Sequence, residues 1–203
     1  MTADQSNGYE RIASKFVSSR GRASSSAIGT TEVRHWAHTL APGAAVVDLG
    51  CGTGIPISRA LLEEGLDVHG IDAAPSLVAE FRRNFPHAKV ACESVLHSSF
   101  FGRRFDGAVA WGLVFLLRPD EQRRLIARIA DVLVPGGRLL FTSPAAPVVW
   151  NDIMTGRESR SLGAPEYRAL LAAAGIDVTR EYEGEGSNYH YEGAKRQSSA
   201  ISC

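Results

Sequence analysis

Two acids and three alternating glycines lie close together in the first half of the chain. Asp48 precedes the loop G-C-G-T-G, whose glycines are Gly50, Gly52 and Gly54, and Asp72 ends the next apolar stretch. Glycine adopts backbone angles that other residues avoid and lets a ligand approach the backbone closely. An acid about twenty residues beyond such a loop is placed to accept hydrogen bonds from ribose hydroxyls. The spacing therefore predicts a binding site that presents two carboxylates.

Two classes of ligand use a glycine loop of this kind. A nicotinamide dinucleotide requires G-x-G-x-x-G, with its pyrophosphate at the N-terminus of the following helix, but the third glycine position is Ile55 here. Asp48 also disfavours a pyrophosphate, because a carboxylate repels the phosphate charges. The acid suits a ligand with positive charge, and S-adenosylmethionine carries an ammonium and a sulfonium group and no phosphate.

The segments around these residues alternate between short β-rich stretches and longer helical ones. The predicted strands of this part span residues 44–49, 66–72, 88–94, 105–113 and 138–143. The predicted helices of this part span residues 55–65, 75–85 and 119–133. Such alternation favours crossover connections and a mostly parallel sheet, in which ligands lie beyond the carboxyl ends of the strands.

The two ends of the chain differ from this alternation. Residues 7–20 and 28–40 are predicted to be helical and to precede the sheet. After a helix over residues 164–175, two strands over 176–183 and 188–196 are joined by the short turn GEGSN. So short a connection predicts that these two strands pair as an antiparallel hairpin.

Five motifs in order along the chain resemble those of one family. VVDLGCGTG resembles the first signature of the class I S-adenosylmethionine-dependent methyltransferases, GIDAAPSLV their second-strand motif and CESV their third-strand motif. FDGAVAWGL and LVPGGRLLFTSP are similar to the fourth- and fifth-strand motifs. The resemblance covers residues 44–195, and the terminal segments look like those of small single-domain bacterial members.

The resemblance implies an α/β fold. The expected architecture is a single-domain Rossmann-like three-layer sandwich with a mostly parallel seven-stranded sheet and an antiparallel C-terminal strand. One domain would occupy residues 1–203. Its parts would be an N-terminal helical lid over 1–40, a cofactor-binding core over 44–143, and a substrate-side loop, helix and hairpin over 144–203.

The same resemblance assigns roles around the expected cofactor, S-adenosyl-L-methionine, and its product S-adenosyl-L-homocysteine. Asp48 would hold the amino group, Asp72 the ribose hydroxyls, and Glu93 the adenine amino group. The glycine loop would wrap the methionine part. Cys51 is interpreted as a small residue whose backbone matters, since no base lies beside it in sequence. The other predicted cofactor-binding residues are Tyr9, Arg20, Gly50, Gly52, Gly54, Ala73, Ser94, Val95, Trp111 and Gly112.

The acceptor side is less defined by the sequence. Trp111 ends the fourth predicted strand, where its ring face can favour a sulfonium through cation–π attraction. His190 and Tyr9 are the candidates for a catalytic base. Strand alternation places Tyr189 and Tyr191 on one face and His190 on the other. The polar segment 150–163 is predicted to be a loop that closes over or binds the substrate. The candidate substrate-binding residues are Trp111, Trp150, Tyr189, His190 and Tyr191.

The composition of the chain limits the classes of partner that it is expected to bind. Lys and Arg together number 22, as do Asp and Glu, whereas proteins built mainly to grip nucleic acid usually carry a basic excess. The chain also lacks the N/D-P-P-Y/F motif of many enzymes that methylate nucleic acid bases. Metal-dependent catechol-type relatives use clustered acids near the end of the fourth strand, whereas the stretch VFLLRPD offers only Asp120, so no catalytic metal is predicted.

The expected partner is therefore a small-molecule methyl acceptor, with no nucleic acid and no membrane, for a cytoplasmic monomer or weak homodimer. The resemblance leaves two alternatives open. One is a non-catalytic protein that binds S-adenosylmethionine or S-adenosylhomocysteine, because such motifs report cofactor binding and not turnover. The other is a nicotinamide-dependent oxidoreductase, which Ile55 and Asp48 disfavour.

Overall fold

A computed structural model describes residues 4–20, 28–185 and 188–197. The helices are α1 (Ala13–Arg20, preceded by a 3-10 turn at Glu10–Ile12), α2 (Thr30–Ala37), α3 (Ile57–Glu63), α4 (Pro75–Asn84), α5 (Pro119–Val132) and α6 (Ala164–Ala173). The strands are β1 (Ala45–Leu49), β2 (Asp67–Asp72), β3 (Lys89–Cys92), β4 (Phe105–Ala110), β5 (Leu133–Thr142), β6 (Val148–Asn151), β7 (Glu158–Ser161), β8 (Ile176–Glu183) and β9 (Tyr189–Lys195). None of the described helices is both long and apolar enough to cross a membrane.

Seven strands form one sheet in the order β3-β2-β1-β4-β5-β9-β8. The pairs from β3 to β5 are parallel, and β9 runs antiparallel to both β5 and β8. The predicted α/β fold, with a mostly parallel sheet and an antiparallel C-terminal strand, is confirmed. Because the strand order reverses between β1 and β4, the carboxyl ends of these strands form a crevice.

Helices cover both faces of the sheet. Val46, Val68 and Val109 point to the face that α2 and α3 cover, and the alternate residues of the same strands point to the face that α5 and α6 cover. Every residue of β1 is buried, as expected for a central parallel strand. The result is the three-layer arrangement that the sequence predicts.

The two N-terminal helices differ in how they pack. Helix α2 belongs to the core, because Val33 is 0% exposed and Trp36 is 1% exposed between α3 and the sheet. Helix α1 contributes the buried Ala13, with the partly buried Phe16 and Val17 beside it, to a small apolar cluster with Ala74 and Leu77. The segment 1–40, predicted as one lid, therefore contains a helix of the central domain and a more lightly packed one before it.

Two segments differ from the predicted elements. Strand β5 begins at Leu133 and includes residues 134–137, which lie between the predicted helix 119–133 and the predicted strand 138–143, because Leu133 pairs with Phe105 ahead of a register shift. Segment 150–163, predicted to be a loop, contributes to a hairpin in which β6 pairs antiparallel with β7. Trp150 of this hairpin packs on Phe115 with 5.3 Å between ring centroids. The hairpin is therefore in contact with a segment distant in sequence.

Gly54 has a packing role that the loop motif does not reveal. Its φ is +78°, and an added Cβ would lie 2.4 Å from the Phe85 ring and 2.9 Å from the Phe81 ring. Phe81 is fully buried and cannot move aside without disturbing α4. The third glycine of the loop therefore lets α4 pack against the strand-to-helix turn.

The variant Gly54→Ala should lower the free energy of unfolding by about 2–5 kcal/mol, since left-handed strain and ring overlap add. Gly65→Ala is the matched control, because Gly65 also has a φ of +78° but a Cβ added there would meet nothing within 4 Å beyond its chain neighbours. The control should lose only about 1–2 kcal/mol. Urea denaturation measures both, and equal losses would contradict the packing role.

Candidate functional site

A cavity of about 460 Å³ lies at the carboxyl ends of the central strands, beneath the N-terminal segment. It is the size expected of a small-molecule site. The structure brings many of the predicted cofactor-binding residues to its wall. These are Tyr9, Asp48, Gly50, Cys51, Gly52, Asp72, Ala73, Ser94, Val95, Trp111 and Gly112.

Asp72 connects the end of β2 to the glycine loop. Its Oδ2 accepts a hydrogen bond of 2.8 Å from the Gly52 N–H, and its Oδ1 accepts one of 2.8 Å from the Ala74 N–H. Burial raises the pKa of this carboxyl above its usual value, against the lowering effect of these backbone donors. The two bonds fix the orientation of the carboxylate at the cavity wall.

Asp48 is the more deeply buried acid, with 2% of its surface exposed. Its Oδ2 accepts a hydrogen bond of 2.5 Å from the Ser58 hydroxyl. Burial raises the pKa of Asp48 to about 7, and the nearby Asp72 charge adds to this effect. A buried carboxyl with so high a pKa is stabilised in its ionised form by any cation that enters the cavity.

Cys51 lies near these acids in a buried position that disfavours the thiolate form. Its side chain is buried, and burial raises its pKa well above the ordinary value, with the charges of Asp72 and Asp48 adding to the shift. Its sulfur lies against β2, where it would be 2.7 Å from a Cβ added at Gly70. The geometry agrees with an interpretation in which Cys51 serves as a small residue of the loop.

The residues after β3 divide between the cavity and the surrounding structure. Ser94 and Val95 line the cavity. Glu93 is not among its lining residues in the described part of the chain, because its Oε1 accepts a hydrogen bond of 2.5 Å from the Ser98 hydroxyl. In this arrangement the carboxylate of Glu93, which was predicted to bind the adenine, instead stabilises the turn after β3.

Trp111 forms part of the cavity wall and is packed from two sides. A Cβ added at Gly29 would lie 2.3 Å from the indole ring, so the start of α2 runs directly against it. His190 lies behind it with 4.9 Å between ring centroids and stacks on Tyr182 at 4.7 Å. The position of this ring is therefore set by its neighbours and not by the ligand.

The structure places the candidate base His190 outside the cavity wall. Its side chain is 0% exposed, and among the described residues neither ring nitrogen has a hydrogen-bond partner. Burial lowers its pKa, although the nearby carboxylates of Glu32 and Glu192 act in the opposite direction. His190 supports Trp111 from behind and does not reach a reacting group in this arrangement.

Three other candidates for substrate binding also serve in packing. Tyr191 stacks on Phe141 with centroids 4.5 Å apart, on the opposite face of the sheet from His190. Tyr189 lies beside Tyr191, and Trp150 packs on Phe115. The alternation of faces along β9 is as predicted. A direct contact of Tyr189, Tyr191 or Trp150 with the acceptor finds no support here, because none lines the cavity among the described residues.

Several cavity residues were not predicted. Phe16 and Ile28 come from the N-terminal helical region, and Leu113 and Phe115 follow β4. Asp152 and Met154 come from the polar segment 150–163, and Asn188 immediately precedes the candidate residues Tyr189, His190 and Tyr191. The Tyr9 hydroxyl donates to Asp152 Oδ2 at 3.5 Å, so the two sides of the cavity touch. No sequence spacing marks these residues, because they meet only in the fold.

One predicted cofactor-binding residue, Arg20, cannot be placed at the cavity. It ends α1, and its side chain lies outside the described part of the structure. Within the described ranges, no group of three or more His, Cys, Asp and Glu side chains is placed to hold a metal ion. The charged groups at the cavity wall are thus Asp48, Asp72 and Asp152, with no described Lys, Arg or His.

Comparison with known proteins agrees with this geometry. Residues 46–137 match the family described as "Methyltransferase domain". The chain is 36% identical over 111 residues to the aklanonic acid methyltransferase DauC of Streptomyces sp. strain C5, covering 50% of this chain and 49% of that protein. It is 32% identical over 169 residues to the probable tRNA methyltransferase 9B of Mus musculus, covering 81% of this chain and 34% of that protein. The chain thus spans about half of the first relative and a third of the second.

Solved structures show the same fold. The Burkholderia thailandensis 1,6-didemethyltoxoflavin-N1-methyltransferase, solved with 1,6-didemethyltoxoflavin and S-adenosylhomocysteine, matches with a TM-score of 0.71 at 23% identity. The match covers 97% of this chain and 92% of that one. The chain therefore contains a methyltransferase domain over residues 46–137, and its seven-stranded fold is that of the class I S-adenosylmethionine-dependent methyltransferases.

Proposed function

We propose that the protein is an S-adenosyl-L-methionine-dependent methyltransferase that acts on a small-molecule acceptor by in-line methyl transfer. The observation that carries this proposal is the pair of carboxylates, Asp48 and Asp72, at a cavity wall where no described side chain is cationic. Such a wall repels the pyrophosphate of a nicotinamide dinucleotide and suits an ammonium and a sulfonium group.

The residues present fit this cofactor. Asp48 would receive the ammonium group, and the fixed oxygens of Asp72 would accept from the ribose hydroxyls. Gly50 and Gly52, with φ angles of +71° and +55°, form the stretch of wall with no side chain, against which the methionine part would lie. Ser94 and Val95 would border the adenine.

The protein's own contribution is to orient and to exclude water. When bound, S-adenosylmethionine would supply a methyl group already activated by the sulfonium, which an acceptor lone pair would take in line as S-adenosylhomocysteine leaves, with any proton of the acceptor passing to solvent. Trp111 and the N-terminal segment would hold the acceptor in line with the methyl group and exclude water. In well-oriented systems such positioning lowers the activation free energy by up to about 7–11 kcal/mol.

Two alternatives have different predictions. A non-catalytic binding protein would share the cofactor site but transfer no methyl group, since fold and cofactor motifs do not determine turnover. A nicotinamide oxidoreductase would require a phosphate-binding loop, and the position of Asp48 disfavours it. The similarity to a probable tRNA methyltransferase makes RNA the rival acceptor class, and a wall without a described cation supports the small molecule instead.

The remaining predictions concern the whole chain. We propose the division into an N-terminal cover over 1–40, a cofactor core over 44–143 and a substrate side over 144–203. The cover would consist mainly of the segment up to α1, since α2 packs in the core. The cytoplasmic location and the monomeric or weakly dimeric state stay predictions from the sequence.

The first test is ligand-dependent thermal stability. S-adenosylhomocysteine at about 100 times its dissociation constant should stabilise the protein by about 2.7 kcal/mol, because it binds only the folded state, whereas NAD should not. Differential scanning fluorimetry measures both. Stabilisation by NAD alone, or equally by both ligands, would contradict the proposal.

Asp72→Ala is the matched variant for this test. It removes a charged acceptor from the proposed ribose contacts and should weaken binding of S-adenosylhomocysteine by about 1.5–3 kcal/mol. Asp67→Ala, at the exposed start of the same strand, controls for the loss of a carboxylate from β2. A folded Asp72→Ala protein with unchanged affinity would remove Asp72 from the site.

A second prediction follows from the pKa of Asp48, which burial raises to about 7 in the free protein. The ammonium of the ligand favours the ionised carboxylate, so binding should lower this pKa and release a proton. Affinity should then fall as the pH drops below about 7, by up to about tenfold per pH unit.

Calorimetry of S-adenosylhomocysteine binding in buffers of different ionisation enthalpy measures the number of protons released. Asp48→Asn should bind more weakly and without this proton release; an equal release from the variant would assign it elsewhere.

Turnover distinguishes the enzyme from the binding protein. Incubation with methyl-labelled S-adenosylmethionine and cell extract should place label in the low-molecular-mass fraction. Boiled protein is the control. Label confined to RNA or protein would contradict a small-molecule acceptor, and no transferred label despite binding would favour the non-catalytic alternative.

A further inference from the structure

The cavity has two ends of different character. The end beside β1, β2 and β3 carries the glycine loop, Asp72, Ser94 and Val95, and is the proposed cofactor site. The far end is formed by segments that follow β4 and β5, by the N-terminal region and by the start of β9. We call it the acceptor end, and its residues are Ile28, Trp111, Phe115, Asp152, Met154 and Asn188.

The walls of the acceptor end are mostly aromatic and apolar. Trp111 is held by His190, and Phe115 is held by Trp150, so both rings are supported from outside the cavity. Met154 adds a flexible apolar side chain, and Ile28 adds further apolar surface. Fixed ring faces beside adaptable side chains suit a flat ring system, which gains from stacking as well as from burial.

Asp152 is the charged group at this end. Its Oδ2 accepts hydrogen bonds from the Thr155 N–H at 2.8 Å and the Thr155 hydroxyl at 2.7 Å, and the Tyr9 hydroxyl lies at 3.5 Å. These donors hold the carboxylate in place from one side. Among the described residues its other oxygen, Oδ1, accepts no hydrogen bond, so it is available to a ligand that brings an N–H or O–H group.

The charge of the cavity selects among possible ligands. Three carboxylates line it, at Asp48, Asp72 and Asp152, and the described lining contains no Lys, Arg or His. The nearby Arg157 is paired with Asp4 at 2.9 Å, away from the cavity wall. An acceptor with a carboxylate or phosphate would enter a negative field without a described partner for its charge, which costs binding free energy.

We propose that the methyl acceptor is a neutral or cationic aromatic molecule with an O–H or N–H group, and that Asp152 binds this group at the acceptor end. The inference rests on the proposed function for the position of the cofactor, and it adds the chemical class of the second substrate. Asp152 is a binding residue in this assignment, and Trp111 and Phe115 supply the faces for the ring.

Three probes with one ring system test the assignment: 2-naphthylmethylamine, 2-naphthol and 2-naphthoate. Binding to the full chain is measured by calorimetry with S-adenosylhomocysteine at saturation. The amine and the naphthol should bind, and the naphthoate should bind about tenfold or more weakly, since its charge meets only carboxylates. Equal or tighter binding of the naphthoate would overturn the inference.

Asp152→Asn removes the charge and keeps an oxygen that can accept from Thr155. It should weaken binding of the amine by about tenfold or more and should not weaken binding of the naphthoate. Glu158→Gln removes an exposed carboxylate from the same hairpin and should change neither. Unchanged amine binding in a folded Asp152→Asn protein, or equal effects of the two variants, would remove Asp152 from the acceptor site.

Phe115→Ala gives a second, charge-independent measurement. It should weaken all probes that bind by a similar factor, because it removes a ring face and no charge. Binding of S-adenosylhomocysteine is measured in parallel for each variant. If that binding persists while the probe pattern fails, the acceptor assignment is wrong and the cofactor proposal stands; if the wild type does not bind S-adenosylhomocysteine, the proposed function fails first.

Discussion

The hydrogen bond from the Gly52 N–H to the Asp72 carboxylate is the contact on which the site depends. Together with the bonds from the N–H groups of Gly50 and Cys51 to the Ile71 carbonyl, at 2.8 and 3.1 Å, it ties the glycine loop to the end of β2. The loop adopts positive φ angles there, which a side chain would resist. A carboxylate held in this way before any ligand arrives is preorganised, so less ordering is needed on binding.

Electrostatics then defines what the cavity accepts. Burial raises the pKa values of both Asp48 and Asp72, which means that ionising either carboxyl in the free protein costs free energy. A cation that enters the cavity relieves this cost, and an anion increases it. The same field extends to the acceptor end through Asp152, so one charge pattern bears on both proposed ligands.

The proposed cover of the cavity makes fewer buried apolar contacts than helix α2. In the N-terminal segment, Ala13 packs with Ala74 and Leu77 in a small apolar cluster. Its other contacts include polar ones: Asp4 pairs with Arg157, Ser76 donates to Glu10 at 2.6 Å, and the Tyr9 hydroxyl reaches Asp152. Helix α2, by contrast, has Trp36 fully packed against the sheet. Segments with few buried apolar contacts open at lower free energy, and an opening of this segment alone would admit ligands without unfolding the core.

Local sequence determined the strand and helix order, the glycine loop, and the positions of Asp48 and Asp72 at strand ends, because these depend on periodicity and on spacing within single turns. The resemblance to the methyltransferases rests on five motifs in order along the chain. Local sequence also determined the alternation along β9 that separates His190 from Tyr191. Only the tertiary structure decided which residues face the cavity. It used His190, Tyr191 and Trp150 for packing. It brought Asp152 and Phe115 to the acceptor end, and it placed Phe81 and Phe85 against Gly54. Each of these positions depends on contacts between segments distant in the chain.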